Sequence, residues 1–105
     1  MSPDISNTLQ KISERLKTEY HAAKVILFGS YARGDATRDS DIDLFIIAPT
    51  KERFFDRMAT VRGFIRDLRK GLPVAPIVLT PQEVEQRKRK RDQFVQEILK
   101  NGVAL

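Results

Sequence analysis

Apolar residues at Ile5, Leu9, Ile12, Leu16 and Tyr20 recur at intervals of four, three, four and four. That spacing predicts one face of a helix opening near Pro3-Asp4. Lys24 to Phe28 is a short apolar run of strand length. Gly29-Ser30 turns the chain into SYAR, a brief helix for which Gly34 is a suitable left-handed C-terminal cap. The polar run DATRDS leads into a second strand, Asp41 to Ala48, stopped by Pro49. A third helix is expected with Thr50 as its cap and Gly71 as its stop, because Phe54, Met58, Val61, Ile65 and Leu68 repeat at four, three, four and three. This stripe fills about 80° of arc. Arg53 and Arg57 lie on one flank and Arg62 and Arg66 on the other, where their stems are expected to cover apolar surface rather than bind a ligand.

Val74 to Leu79 reads as a third strand, confined to an edge or a bulge by Pro76. Thr80-Pro81-Gln82-Glu83 is a capping box with proline at the first helical position, so a helix should start there. Glu85 to Gln93 contains no apolar residue and is expected to face solvent or fray. An apolar face resumes at Phe94, Val95, Ile98 and Leu99, Asn101-Gly102 ends it, and Val103-Ala104-Leu105 reads as a docked tail.

Composition narrows the classes. At 105 residues with 41% apolar content the chain reads as one domain, 1–105. With no cysteine and one histidine, His21, thiolate and multi-histidine metal sites are excluded, which leaves carboxylates as metal ligands. His21, at a helix end, is read as structural. MSPDISNTLQ lacks the apolar core of a signal peptide, and no segment reaches the roughly 18 apolar residues of a membrane span. A soluble cytoplasmic protein without a membrane partner is therefore expected. The net charge of +5 equals the contribution of Arg87-Lys88-Arg89-Lys90-Arg91 alone. Basicity is thus local: a solvated helical face, or a contact for RNA, a protein partner or nucleotide phosphate. No aromatic residue is interleaved with the run, which argues against a single-strand stacking platform.

The stretch from Phe28 to Ile47 carries the chemistry. Residues two apart on a strand share a face, so Asp41 and Asp43 project together, about 6.6 Å apart along the backbone, while Ile42, Leu44 and Ile46 face the core. Two like charges on one face repel unless a cation lies between them, and oxygen-only ligation suits Mg²⁺. Upstream, Gly29 allows a phosphate to approach the backbone, Ser30 can donate its hydroxyl, and the N–H groups opening SYAR present positive dipole ends. A triphosphate chelated to Mg²⁺ needs both halves.

Gly29-Ser30, ten residues, then Asp41-x-Asp43 resembles the signature of the DNA polymerase β-like nucleotidyltransferase superfamily. The whole chain is similar to its minimal nucleotidyltransferases, of the MntA-like antitoxin type encoded beside HEPN-domain toxins. The resemblance implies an α/β fold with a small mixed sheet flanked by helices. It also implies Mg²⁺ held by Asp41 and Asp43, and ATP as the nucleotide, on Gly29 and Ser30 with Arg33 and Arg38 as further phosphate contacts. Asp41, Asp43 and Ser30 are then the catalytic set. The implied activity is transfer of AMP to a hydroxyl, with a HEPN-type toxin as partner and acceptor; a homo-oligomer is compatible with it.

One position departs from the family pattern. A third carboxylate is expected on the next strand, where Leu72-Pro73-Val74-Ala75-Pro76 places alanine. Ala75 neither binds metal nor accepts a proton, which predicts weak turnover or none. The alternative function is therefore an antitoxin that neutralises its partner by contact alone. Nucleic-acid binding through the basic run ranks last, because it leaves the Gly-Ser and Asp-x-Asp pattern unexplained.

Overall fold

The structure, a computed structural model, describes residues 1–105. Its elements are α1 (Pro3–Glu19), β1 (Lys24–Phe28), α2 (Ser30–Arg33), β2 (Ile42–Ile47), α3 (Phe54–Arg69), β3 (Val74–Leu79), α4 (Pro81–Arg89), α5 (Gln93–Asn101) and β4 (Val103–Ala104). The strands form one mixed sheet in the order β3-β2-β1-β4. β1 runs antiparallel to β2 and β4, and β2 runs parallel to β3 with α3 as the crossover. β3 is an edge strand, as Pro76 requires, and the expected tail pairs through Ile26 with Ala104 and Leu27 with Val103. No helix is long and apolar enough to cross a membrane.

Strand alternation divides the apolar residues into two layers. Val25, Leu27, Ile42, Leu44, Ile46, Val74 and Val78 pack under α1 and α3, against Leu9, Ile12, Leu16, Val61 and Ile65. Ile26, Phe45, Ile47 and Leu79 face the other way and meet Val84, Val95 and Ile98 of α4 and α5. Asp43 shares that second face, at the end of the sheet where helical cover runs out.

Four expectations are corrected. The second strand begins at Ile42, not Asp41. β1 turns away after its Phe28–Asp43 pair, so pairing beyond that point is with the β3 side alone, where the Ile42 N–H donates to the Pro73 carbonyl at 2.8 Å. Thr50 does not cap α3. Its hydroxyl accepts from the Glu52 N–H at 3.1 Å, and the helix starts three residues later with Arg53 at its N-cap. Arg57 is not a flank residue covering apolar surface. It is only 6% exposed, with its guanidinium bonded to the Glu52 and Val78 carbonyls and both oxygens of Glu83. Finally, the segment after Thr80 is two helices. Arg91 turns the chain with φ 55°, and the Asp92 side chain caps α5 by accepting from the Val95 N–H at 3.1 Å. Without an apolar stripe over 85–93, nothing holds a continuous helix against the sheet.

Candidate functional site

Local backbone chemistry brings the site together. Gly29 leaves β1 with φ 76° and ψ −153°, a region open essentially only to glycine. A Cβ at this position would collide with the Asp43 carboxylate oxygen Oδ2. The absence of a side chain therefore lets the turn and the carboxylate touch. α2 follows at once and closes on Gly34, at φ 83°, whose N–H donates to the Ser30 carbonyl at 3.0 Å. The Ser30 hydroxyl makes no hydrogen bond within the chain.

Asp43 is half-buried, and Asp41, just before the strand, is exposed. Burial raises the Asp43 pKa, the Asp41 charge raises it further, and Arg33 partly opposes both. The site thus carries negative charge that the fold leaves incompletely compensated. Arg33 is exposed and pairs with Asp35 at 3.3 Å. Arg38 is exposed in the turn Thr37–Ser40, without a hydrogen bond or ion pair to the other candidates. The structure therefore sets Gly29 against Asp43, with Asp41 and Arg33 close enough to act on that carboxylate and Ser30 next to Gly29 at the start of α2.

Ala75 lies beside Asp43 in the parallel β2–β3 register. Phe28 is the partner of Asp43 on the other side. Across the sheet end the row reads Phe28, Asp43, Ala75, so the alanine does sit next to the acidic pair. No third histidine, cysteine or carboxylate joins Asp41 and Asp43 in a metal-holding group.

Beyond Gly29 the surface dips into a cleft of about 310 Å³ between the end of β1 and α5, lined in part by Phe28, Arg33, Phe94, Glu97 and Asn101. The Phe28 and Phe94 rings meet edge to face with centroids 5.7 Å apart. Sequence reading placed Phe94 on the core face of its helix, yet it is 48% exposed. The available signal was weak: Phe94 sits two residues after the Asp92 cap, in the first turn, where a ring can overhang the sheet end.

Comparison with known proteins extends the geometry. Residues 9–105 match the family described as nucleotidyltransferase domain. Relatives from Methanocaldococcus jannaschii carry the name "putative protein adenylyltransferase". One is 33% identical over 85 residues, covering 76% of this chain and 58% of the relative. A second is 44% identical over 43 residues, covering 41% and 43%. A third is 30% identical over 81 residues, covering 76% and 75%. The matched regions thus span about half the length of the first two. A crystal structure of a "putative nucleotidyltransferase" from Sulfolobus solfataricus superposes with a TM-score of 0.58 at 27% identity, over 99% of this chain and 86% of that one. Because the family match runs from within α1 through the turn at Gly29 and the strand at Asp43 to the last residue, the chain belongs to the nucleotidyltransferase domain family.

Proposed function

We propose that the protein transfers AMP from ATP to a hydroxyl group of a protein partner, using Mg²⁺ held by Asp41 and Asp43. The observation carrying this reading is the contact of the Gly29 turn with the Asp43 carboxylate, which sets a phosphate-accessible backbone against an under-compensated acidic pair. The donor set fits a hard cation, because two carboxylate side chains leave most of its coordination to water and to triphosphate oxygens. When bound, the ion would neutralise triphosphate charge and lower the pKa of the acceptor hydroxyl. Ser30 would donate its free hydroxyl to the terminal phosphates, and Arg33 would add positive charge there. Arg38, exposed in the turn before β2, is a further candidate for phosphate charge. The names of the relatives support a protein acceptor, and the family resemblance supports a HEPN-type toxin in that role.

A second reading rests on Ala75. With alanine beside Asp43, β3 offers no carboxylate to take the acceptor's proton. The protein would then act as an antitoxin by contact, with residual or no transfer. One experiment separates the readings: incubation with Mg²⁺ and α-labelled ATP, with and without the partner, for wild type and the Asp41→Asn, Asp43→Asn double variant. Label on the partner that disappears in the double variant supports transfer. Neutralisation of the toxin without label, equal in both proteins, supports contact. ATP binding indifferent to Mg²⁺ and to both substitutions would overturn the metal and nucleotide assignment.

A further inference from the structure

Resting on the nucleotidyl-transfer reading above, we propose that the cleft between β1 and α5 is the nucleobase pocket, and that it selects adenine through Glu97 and Asn101. The cleft begins at Gly29 and Arg33, where the triphosphate is placed, and its far wall is α5. Charge orients the ligand along it. Arg33 stands at the phosphate end and the Glu97 carboxylate on α5, so phosphates are favoured at the first and a neutral ring with N–H donors at the second.

The walls suit a flat ring. The other apolar residues at the inner face of α5, Val95 and Ile98, are buried, whereas Phe94 stays half in water beside the cleft. With Phe28 it forms a right-angled pair, interplanar angle 90°, that presents one ring face and one ring edge. Covering such a surface with a base removes apolar area from water and adds stacking. About 310 Å³ is ample for a base with part of its ribose.

The polar wall reads the base. Asn101 Nδ2 donates to Glu97 Oε1 at 2.7 Å across one turn of α5. That bond fixes the amide and leaves Glu97 Oε2 and Asn101 Oδ1 as acceptors and one amide N–H as donor. Adenine presents the complement, two hydrogens on its 6-amino group beside a ring nitrogen that accepts. Hypoxanthine, with an oxygen at position 6 and a proton on N1, reverses donor and acceptor along that edge, so the bonds made by adenine's 6-amino group to the acceptors are lost.

The test is calorimetry on the full chain with Mg²⁺, comparing ATP, inosine triphosphate and inorganic tripolyphosphate. ATP should bind about tenfold more tightly than inosine triphosphate, the scale of one lost hydrogen bond to a charged group. Phe94→Ala should weaken ATP about tenfold and leave tripolyphosphate unchanged; Phe94→Leu, which keeps an apolar side chain without the ring, serves if the alanine variant melts early. Glu97→Ala with Asn101→Ala should erase the preference for ATP over inosine triphosphate. Equal affinity of all three probes for wild type overturns the pocket while leaving phosphate binding intact. Failure of both ATP and tripolyphosphate to bind overturns the pocket together with the nucleotidyl-transfer reading.

Discussion

Gly29 and Asp43 constrain each other. Gly29→Ala should destabilise the protein by more than about 1 kcal/mol, because it meets both a backbone conformation closed to alanine and the Asp43 carboxylate. Denaturant titration of Gly29→Ala, Asp43→Ala and the double variant tests this. The steric part should vanish in the double variant while the conformational part remains. Asp43 itself should cost stability when no metal is bound. Its pKa is raised in the fold by burial and by Asp41, so stability is fully present below the unfolded value near 3.8 and is lost as pH rises through the higher folded value. Asp43→Asn should therefore melt above wild type in chelator, by a margin that grows from pH 4 toward neutrality, even as it loses Mg²⁺-dependent ATP binding. Equal melting temperatures at neutral pH would contradict this account. Ala75, in register with Asp43, gives the third residue-scale expectation. Ala75→Asp should raise label transfer to the partner roughly tenfold, the lower part of the range for an added general base. Unchanged transfer by an active wild type would mean that the proton leaves by another route.

Among the elements, α3, β3 and α4 are tied by one buried guanidinium. Arg57 donates to the Val78 carbonyl at 3.0 Å and to Glu83 at 2.6 and 3.2 Å. Glu83 also accepts from the Thr80 N–H at 2.7 Å, so one carboxylate serves both the ion pair and the capping box. Glu83→Ala should cost about 2 kcal/mol. That is below the usual loss for a fully buried pair, because Glu83 is partly exposed and Arg57 keeps two carbonyl partners. The Arg57 hydrogen bond outweighs burial, which acts to raise the Glu83 pKa, and holds it below the ordinary value. This contribution is therefore present above the unfolded value near 4.5 and is lost as pH falls through the folded one. Melts of wild type and Glu83→Gln should converge in that acid range and separate at neutral pH; parallel curves would sink the assignment.

At the scale of the whole molecule, the sheet carries helices on both faces, and the candidate site occupies the end where cover stops. The basic run Arg87 to Arg91, in the last turn of α4 and the turn after it, is exposed. Arg87 pairs with Asp92 and Lys88 with Glu85, while Arg89, Lys90 and Arg91 make no ion pair. Substituting these last three with serine should leave stability within about 0.5 kcal/mol, as for exposed side chains without contacts. A larger loss in a denaturant titration would reveal a structural role for the turn.

The sequence by itself determined the elements whose signals are local. Period in the apolar residues located α1, α3 and the strands, and Thr80-Pro81-Gln82-Glu83 located the start of α4, because caps and periodicity act over one or two turns of chain. It also exposed the Gly29-Ser30 and Asp41-x-Asp43 constellation, since a fixed spacing within one hairpin is readable without knowing the fold. Tertiary structure decided the rest. Thr50 has the side chain suited to a cap, yet its hydroxyl is used by the Glu52 N–H and α3 opens at Phe54, with Arg53 at the N-cap position and no side-chain cap. Arg57 is buried because Val78 and Glu83, 21 and 26 residues away, converge on it. Ala75 stands beside Asp43 only through the β2–β3 register, and Phe94 reaches Phe28 only because α5 packs on the sheet face that carries Ile26 and Phe28. Such juxtapositions join residues far apart in the chain, and their geometry comes from packing two apolar layers on one sheet rather than from any local propensity.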